Sequence, residues 1–168
     1  SAEMERTLQV LDYAVLVISG ADGVQGHTET LWKLLKLYDI PTFIFINKMD
    51  QQGTDQAALL SELKERLDEG CIAFGKEESA ETLEDVLEMY MESGEISDET
   101  IADLVYERKL FPCYFGSALK LEGVQELLYG FERYMEPYTG TEEFGAKVFK
   151  ISRDRQGNRL THLKITGG

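Results

Sequence analysis

Apolar and polar positions recur with two different periods along this chain, and each period predicts its own kind of element. Residues 2–10 set Met4, Leu8 and Val10 on one side of a helix. Residues 13–19 are then apolar almost without interruption over a strand's length, ending in the loop Gly20-Ala21-Asp22-Gly23. A run apolar on both faces predicts a buried parallel strand. Residues 27–38 return to helical spacing through Leu31, Leu34, Leu35 and Tyr38, with Trp32 flanking the stripe, and Pro41 closes that helix. A second buried strand is predicted over 42–46. After a loop at 47–54, a helix over 55–68 carries Leu59, Leu60, Leu63 and Leu67 as its apolar stripe. Two acidic helices follow, over 79–92 and 98–109, the second opened by Ser97-Asp98-Glu99. A third strand at 111–115 leads through a loop at 116–121 to a helix over 123–135.

Strand and helix in regular alternation predict a parallel α/β sheet with right-handed crossovers, flanked by helices, and the helices over 79–109 read as an insertion before the third strand. The period then changes. Residues 137–145 read as a linker, and two short strand-like runs at 147–152 and 159–165 surround Asp154-Arg155-Gln156-Gly157-Asn158, a hairpin turn signal. This is the pattern of an all-β domain at its start. A lone two-stranded hairpin is marginal by itself.

Composition narrows the classes. With 168 residues, 43% apolar and 29% charged, the chain has the make-up of one globular domain, or one domain and part of a second. No apolar run reaches the roughly eighteen residues of a membrane span, and no basic-then-apolar leader opens the chain, so a cytoplasmic setting is expected. Cys71 and Cys113 lack Cys or His neighbours at metal-binding spacing, which predicts neither a zinc site nor a disulfide framework. The first residue is Ser1 rather than Met, and a helical pattern starts at once, so the chain is expected to be a stretch of a longer protein.

The net charge of −14 is unevenly spread. Residues 76–107 hold twelve acidic side chains against Lys76 alone, whereas residues 147–164 hold six basic ones against Asp154. The overall balance argues against wholesale polyanion binding, because nucleic-acid affinity comes mainly from Lys and Arg neutralising phosphates. A locally basic ribbon is still compatible with RNA contact. The acidic stretch reads as a solvated helix face, with a dedicated partner site as the other reading.

Candidate chemistry sits in two loops. Asn47-Lys48-Met49-Asp50 directly follows a predicted buried strand, at the sheet edge where open α/β folds bind ligands. Asp50 as a carboxylate only accepts hydrogen bonds, which suits the two adjacent donors on N1 and N2 of guanine, a pair adenine does not offer. Asn47 would use its amide on N7 and on neighbouring loops, and the Lys48 stem would lie against the ring. A polar turn with Asp50 as a cap residue is the alternative. Ser117-Ala118-Leu119 follows the third strand at the same edge, and short side chains there let backbone amides approach a ligand oxygen. The guanine-binding candidates are therefore Asn47, Lys48, Asp50, Ser117 and Ala118.

Other strings carry less. Residues 70–77, Gly-Cys-Ile-Ala-Phe-Gly-Lys-Glu, have the spacing of a phosphate loop except that Glu77 replaces the magnesium-binding Ser or Thr; the string follows a helix instead of opening one and is rejected. Asp50-Gln-Gln-Gly53 and Asp154-Arg-Gln-Gly157 match D-x-x-G, but neither follows a strand that aims the Asp at a metal. His27 and His162 have no sequence neighbours that suggest catalysis and read as surface residues. No catalytic residue and no metal ligand is assigned.

With these residues in view, the chain resembles a translational GTPase of the elongation factor G class, and within it most of all the tetracycline-resistance ribosomal protection proteins. The likeness is carried by Glu5-Arg-Thr-Leu-Gln-Val-Leu-Asp12, Gly23-Val24 with Thr28-Glu29-Thr30, and Phe45-Ile-Asn-Lys-Met-Asp50. It continues in Phe115-Gly-Ser-Ala-Leu119, Gly123-Val124, and Lys147-Val-Phe-Lys-Ile151 with Gly157-Asn-Arg-Leu160. The resemblance implies a partial P-loop-NTPase-like sheet over 1–136 with the acidic insertion at about 76–109, a linker at 137–145, and at 146–168 the first hairpin of a β-barrel domain. It also implies GTP or GDP as ligand, a ribosome as the parent's partner, and magnesium bound by parent segments that lie before Ser1. The fragment alone is not expected to hydrolyse GTP. In the family the strands missing here pair beside residues 13–19, so self-association or strand exchange through that strand is expected. The competing reading is a non-hydrolysing interaction module that meets a protein partner through its acidic helices.

Overall fold

The computed structural model describes residues 2–75, 86, 96–137 and 139–168. In chain order its elements are α1 (Ala2–Leu8), β1 (Ala14–Ser19), α2 (Gly26–Leu37), β2 (Thr42–Asn47), α3 (Gln56–Arg66), β3 (Cys71–Ala73), α4 (Asp98–Tyr106), β4 (Phe111–Phe115), a 3-10 turn (Ala118–Lys120), α5 (Val124–Tyr134), β5 (Gly145–Arg153) and β6 (Arg159–Gly167). They form two compact units, Tyr13–Glu136 and, separately, Ser1–Asp12 with Pro137–Gly168. The acidic helix expected over 79–92 lies outside the described residues.

In the larger unit the strands are ordered β1-β2-β4-β3 and are parallel throughout. Parallel strands need crossovers, which α2, α3 and the segment before β4 that carries α4 provide. Because side chains alternate across a strand, neighbouring residues of β2 feed different cores. Ile44 and Ile46 join Leu16, Ile18, Trp32 and Leu63 on one face. Phe43 and Phe45 join Val105, Tyr114, Leu127 and Tyr134 on the other. Burying both faces of β2 requires the uninterrupted apolar run that the sequence shows.

Three features differ from the sequence reading. Residues 71–73 form a fourth strand, β3, inside the string that mimics a phosphate loop; Cys71 and Ile72 are fully buried beside β4. Three residues are too few to display a period. Trp32, expected to flank its helix stripe, sits in the core, where its indole meets Phe111 edge-on at 4.7 Å and donates to Leu67 O at 3.0 Å. β1 is buried on one face only: Leu16 and Ile18 are covered, while Val15 and Val17 are 42% and 60% exposed at the end of the sheet.

Local signals set the helix limits. Asp55 caps α3 by accepting from the N–H groups of Ala57 and Ala58, and Ser97 caps α4 by accepting from Thr100 N at 3.1 Å. α4 ends earlier than residue 109 because Arg108 takes a left-handed φ of 55°. Its guanidinium then lies 5.2 Å from the Trp32 ring centroid and 5.1 Å from that of Phe111, and reaches Ile40 O and Thr42 Oγ1.

In the smaller unit β5 and β6 pair antiparallel around a turn in which Asp154 Oδ1 accepts from Gln156 N and Asn158 N. The Asn158 side chain, which donates Nδ2 to Asp154 Oδ2 at 2.9 Å, and then these backbone bonds hold the Asp154 carboxyl below its ordinary pKa. Within the same unit Lys147 Nζ donates to Gln9 O at 3.1 Å and Lys164 Nζ to Val10 O at 2.9 Å. Among the described residues no helix is long and apolar enough to cross a membrane.

The start of α4 and the end of α5 are joined by Arg133, which donates to both Asp98 oxygens at 2.6 and 2.9 Å and holds that carboxyl below its usual pKa. A lowered pKa in the folded state gives stability that is present above the ordinary Asp value and lost as pH falls through the lowered one. Arg133→Met is therefore expected to cost about 0.2–1 kcal/mol at pH 7, the range for exposed pairs. The difference from the parent should vanish below Asp98's lowered pKa; equal urea midpoints at pH 7 would refute the pair's contribution.

Candidate functional site

β2 and β4 end side by side, with Ile46 level with Phe115, so the residues after them start at one edge of the sheet. The backbone ladder continues past the strands: Gly116 N donates to Ile46 O at 2.9 Å and Met49 N to Gly116 O at 3.0 Å. On the other side of β2, Gly20 N donates to Asn47 O at 2.7 Å. Three loops thus meet around Asn47.

The Asn47 side chain joins two of them. Its Oδ1 accepts from Lys48 N at 2.8 Å and from Ala118 N at 2.9 Å, a bond across 71 positions of sequence. The Ala118 amide, expected to face a ligand oxygen, is thus directed at Asn47. Lys48 takes a left-handed φ of 63°, which turns the chain sharply out of β2, and its side chain is exposed. The loop is then closed by Thr54, whose hydroxyl bonds Met49 O and Gln51 O, both at 2.9 Å.

The β4 loop is narrower. A Cβ at Gly116 would stand 2.0 Å from Glu122 O, and one at Gly123, where φ is 74°, would stand 2.3 Å from Phe115 O. The two glycines let the chain leave β4 and return along itself, and Ser117 pairs with Glu122 through N–H to O bonds of 3.0 and 3.1 Å. Ser117 is 2% exposed, whereas Leu119 and Leu121 are 93% and 74% exposed on the turn between the glycines.

Asp50 meets this loop. Lys120 Nζ stands 3.4 Å from its Oδ2. The polar Ser117 side chain first, then the loop backbone and Lys120, hold the Asp50 carboxyl below its ordinary pKa against the opposing effect of partial desolvation. All five residues singled out from sequence lie at these two adjoining loops: Asn47 as the last residue of β2 with Lys48 and Asp50 after it, Ser117 and Ala118 after β4. Thr54, Lys120 and the Gly116/Gly123 pair belong to the same arrangement. The recurrence of glycine on both sides of Ser117 was the available sequence signal for that last pair.

The secondary candidates resolve as turns and pairs. Gly53 and Gly157 both have positive φ, so the two D-x-x-G strings are turn sequences. His27 is exposed at the start of α2. His162 departs from expectation: it is half-buried, with Nε2 2.7 Å from Ser152 Oγ, a partner brought across the β5–β6 hairpin from ten positions away. Among the described residues no three His, Cys, Asp or Glu side chains gather as a metal site.

Comparison with known proteins places this geometry. Residues 1–137 match the family described as the elongation factor Tu GTP binding domain. Across 99% of its length the chain is 33% identical to the tetracycline resistance protein TetM from transposon Tn5251 of Streptococcus pneumoniae, over 192 residues, and 33% identical to the tetracycline resistance protein TetW of Butyrivibrio fibrisolvens, over 191. The chain spans 30% of the length of each. In fold it superposes on the crystal structure of ttk003000868 from Thermus thermophilus with a TM-score of 0.78 at 20% identity, covering 99% of this chain and 33% of that one.

The bridge made by Asn47 has a measurable consequence. Asn47→Ala is expected to lose about 1–2 kcal/mol in urea denaturation, the worth of two net hydrogen bonds, whereas Asn47→Asp, which keeps an acceptor, should lose less. Equal losses would mean that the bridge does not hold the loops together.

Proposed function

The chain belongs to the family of elongation factor Tu GTP-binding domains, and from that premise we propose that it supplies guanine recognition to a ribosome-associated translational GTPase of the tetracycline-resistance type. The observation that carries this reading is the meeting of the two loops: Asn47 Oδ1 accepts from Ala118 N, and the Asp50 carboxylate of one loop pairs with Lys120 of the other at 3.4 Å. An ionised carboxylate only accepts, so it selects a base with two adjacent N–H donors. Asn47, Lys48, Asp50, Ser117 and Ala118 are the proposed guanine contacts. GTP and GDP are the proposed ligands, and the ribosome and a cytoplasmic setting belong to the whole protein. The TetM and TetW likeness supports that assignment. Hydrolysis, with its magnesium, is assigned to the whole protein as well. The competing interaction-module reading rests on the acidic segment and loses ground if the reading frame upstream of Ser1 encodes G-x-x-x-x-G-K-[ST] and D-x-x-G.

The organisation follows the same reading: a GTP-binding portion over 1–136 with an acidic insertion at about 76–109, a linker at 137–145, and the first hairpin of a β-barrel domain at 146–168. Held by the base alone, GDP should bind this chain with a Kd of about 1 mM, near −4 kcal/mol. Asp50→Asn replaces one acceptor oxygen with a donor, which suits the 2-oxo group of xanthine. The expected outcome is a switch in preference from GDP to xanthosine diphosphate by NMR titration. An unchanged preference would remove Asp50 from base recognition.

A second part of the proposal concerns β1. Its outer edge and its exposed Val15 and Val17 form an apolar strand edge, the feature through which sheets pair with other chains. Light scattering is expected to show association that grows with concentration and is reduced by Val17→Lys. A monomer at high concentration would contradict it.

A further inference from the structure

Base recognition by an acceptor requires Asp50 to be ionised, but it does not require a lysine beside it. Lys120 nevertheless brings its Nζ to 3.4 Å from Asp50 Oδ2, although its own side chain is half exposed. Fixing a lysine costs rotamer entropy, so such a contact on a free loop would be weak. Here the loop is not free. The turn that carries Lys120 is closed by Lys120 N to Ser117 O at 3.0 Å and Glu122 N to Ser117 O at 3.1 Å, and Leu121 takes a left-handed φ of 60°. The Gly116/Gly123 seam anchors both ends of that turn.

Burial does not explain this shape. Leu119 and Leu121, on either side of Lys120, are left almost wholly in solvent. The turn holds two leucines outward and the lysine between them against Asp50. A carboxylate offers about four acceptor positions, and the ammonium group pairs with it at Oδ2 alone.

We propose that Lys120 is a positioning residue for guanine recognition: its ammonium group, held beside Oδ2, biases the Asp50 carboxylate toward one orientation and leaves its acceptor positions to the two adjacent N–H donors of the base. The inference rests on the guanine reading given above and deepens it. It also predicts a pH dependence. The groups acting on the Asp50 carboxyl are the Ser117 hydroxyl and the backbone of its own loop and, carrying charge, Lys120 from the β4 loop. A protonated Asp50 would point a donor at a donor and lose the base. Removing the ammonium moves the carboxyl back toward its ordinary pKa, so binding should fail at a higher pH on the acid side.

The test uses this chain with Lys120→Met and Lys120→Arg, read by the Asp50 carboxyl carbon titration and by GDP titration in NMR from pH 7 downward. Lys120→Met is expected to raise the Asp50 midpoint, weaken GDP binding at pH 7 by about two- to fivefold, the range of an exposed ion pair, and shift the acid limb of binding upward. Lys120→Arg should restore all three, and thermal midpoints should stay together because the side chain is half exposed. An unchanged Asp50 titration in Lys120→Met overturns the contact. A changed titration with unchanged GDP affinity and acid limb overturns its role in recognition. Failure of the guanine reading is seen separately: Asp50→Asn would then leave the preference between GDP and xanthosine diphosphate as it was, whatever Lys120 does.

Discussion

One amide oxygen at the sheet edge is shared between the two loops of the site. Asn47 Oδ1 accepts from its own neighbour, Lys48 N, and from Ala118 N in the loop after the next strand. The first bond supports a left-handed turn that a lysine adopts at a cost. The second ties that turn to a loop far away in sequence. Without an acceptor at this point, the two backbone N–H groups would turn to water, and the loops would be tied only by the backbone bonds of Gly116 to Ile46 and Met49. Asp50, Ser117 and Lys120 lie one step outward, and their meeting presupposes that the loops already meet.

The bridge is possible because the sheet beneath it is rigid. β2 is buried on both faces, with Phe43 and Phe45 in one core and Ile44 and Ile46 in the other. Each such side chain contributes about 1.5–3 kcal/mol when taken fully out of water. Parallel pairing then fixes the level of Asn47 relative to Phe115. A slip of one residue would exchange the two cores, so packing and not loop chemistry sets which residues face each other at the edge.

The strands, their order in the chain and the two loops were legible in the sequence because each signal is long or chemically specific. Residues 42–46 are apolar throughout, and Asn47-Lys48-Met49-Asp50 follows without a gap. What escaped was short, or distributed. β3 has three residues, below any period. Val15 and Val17 are as apolar as their buried neighbours, so composition cannot tell the covered face of β1 from the open one. Trp32 lies only slightly off the helix stripe, and its burial follows from Phe111 and Arg108, which come from distant elements. The pairing of Ser152 with His162 and of Lys120 with Asp50 arises only once a hairpin and a glycine-seamed turn have formed. The expected helix over 79–92 lies outside the described residues.

The central claim is that the β2 and β4 loops form a single site for a guanine base. Its most direct test is a comparison of backbone amide spectra of the isotope-labelled chain with added guanosine and with added adenosine. The account predicts saturable shifts for guanosine at Lys48, Asp50, Ser117 and Ala118 together, with one apparent affinity, and no matching response to adenosine. Equal responses to both nucleosides, or shifts in one loop without the other, would contradict it.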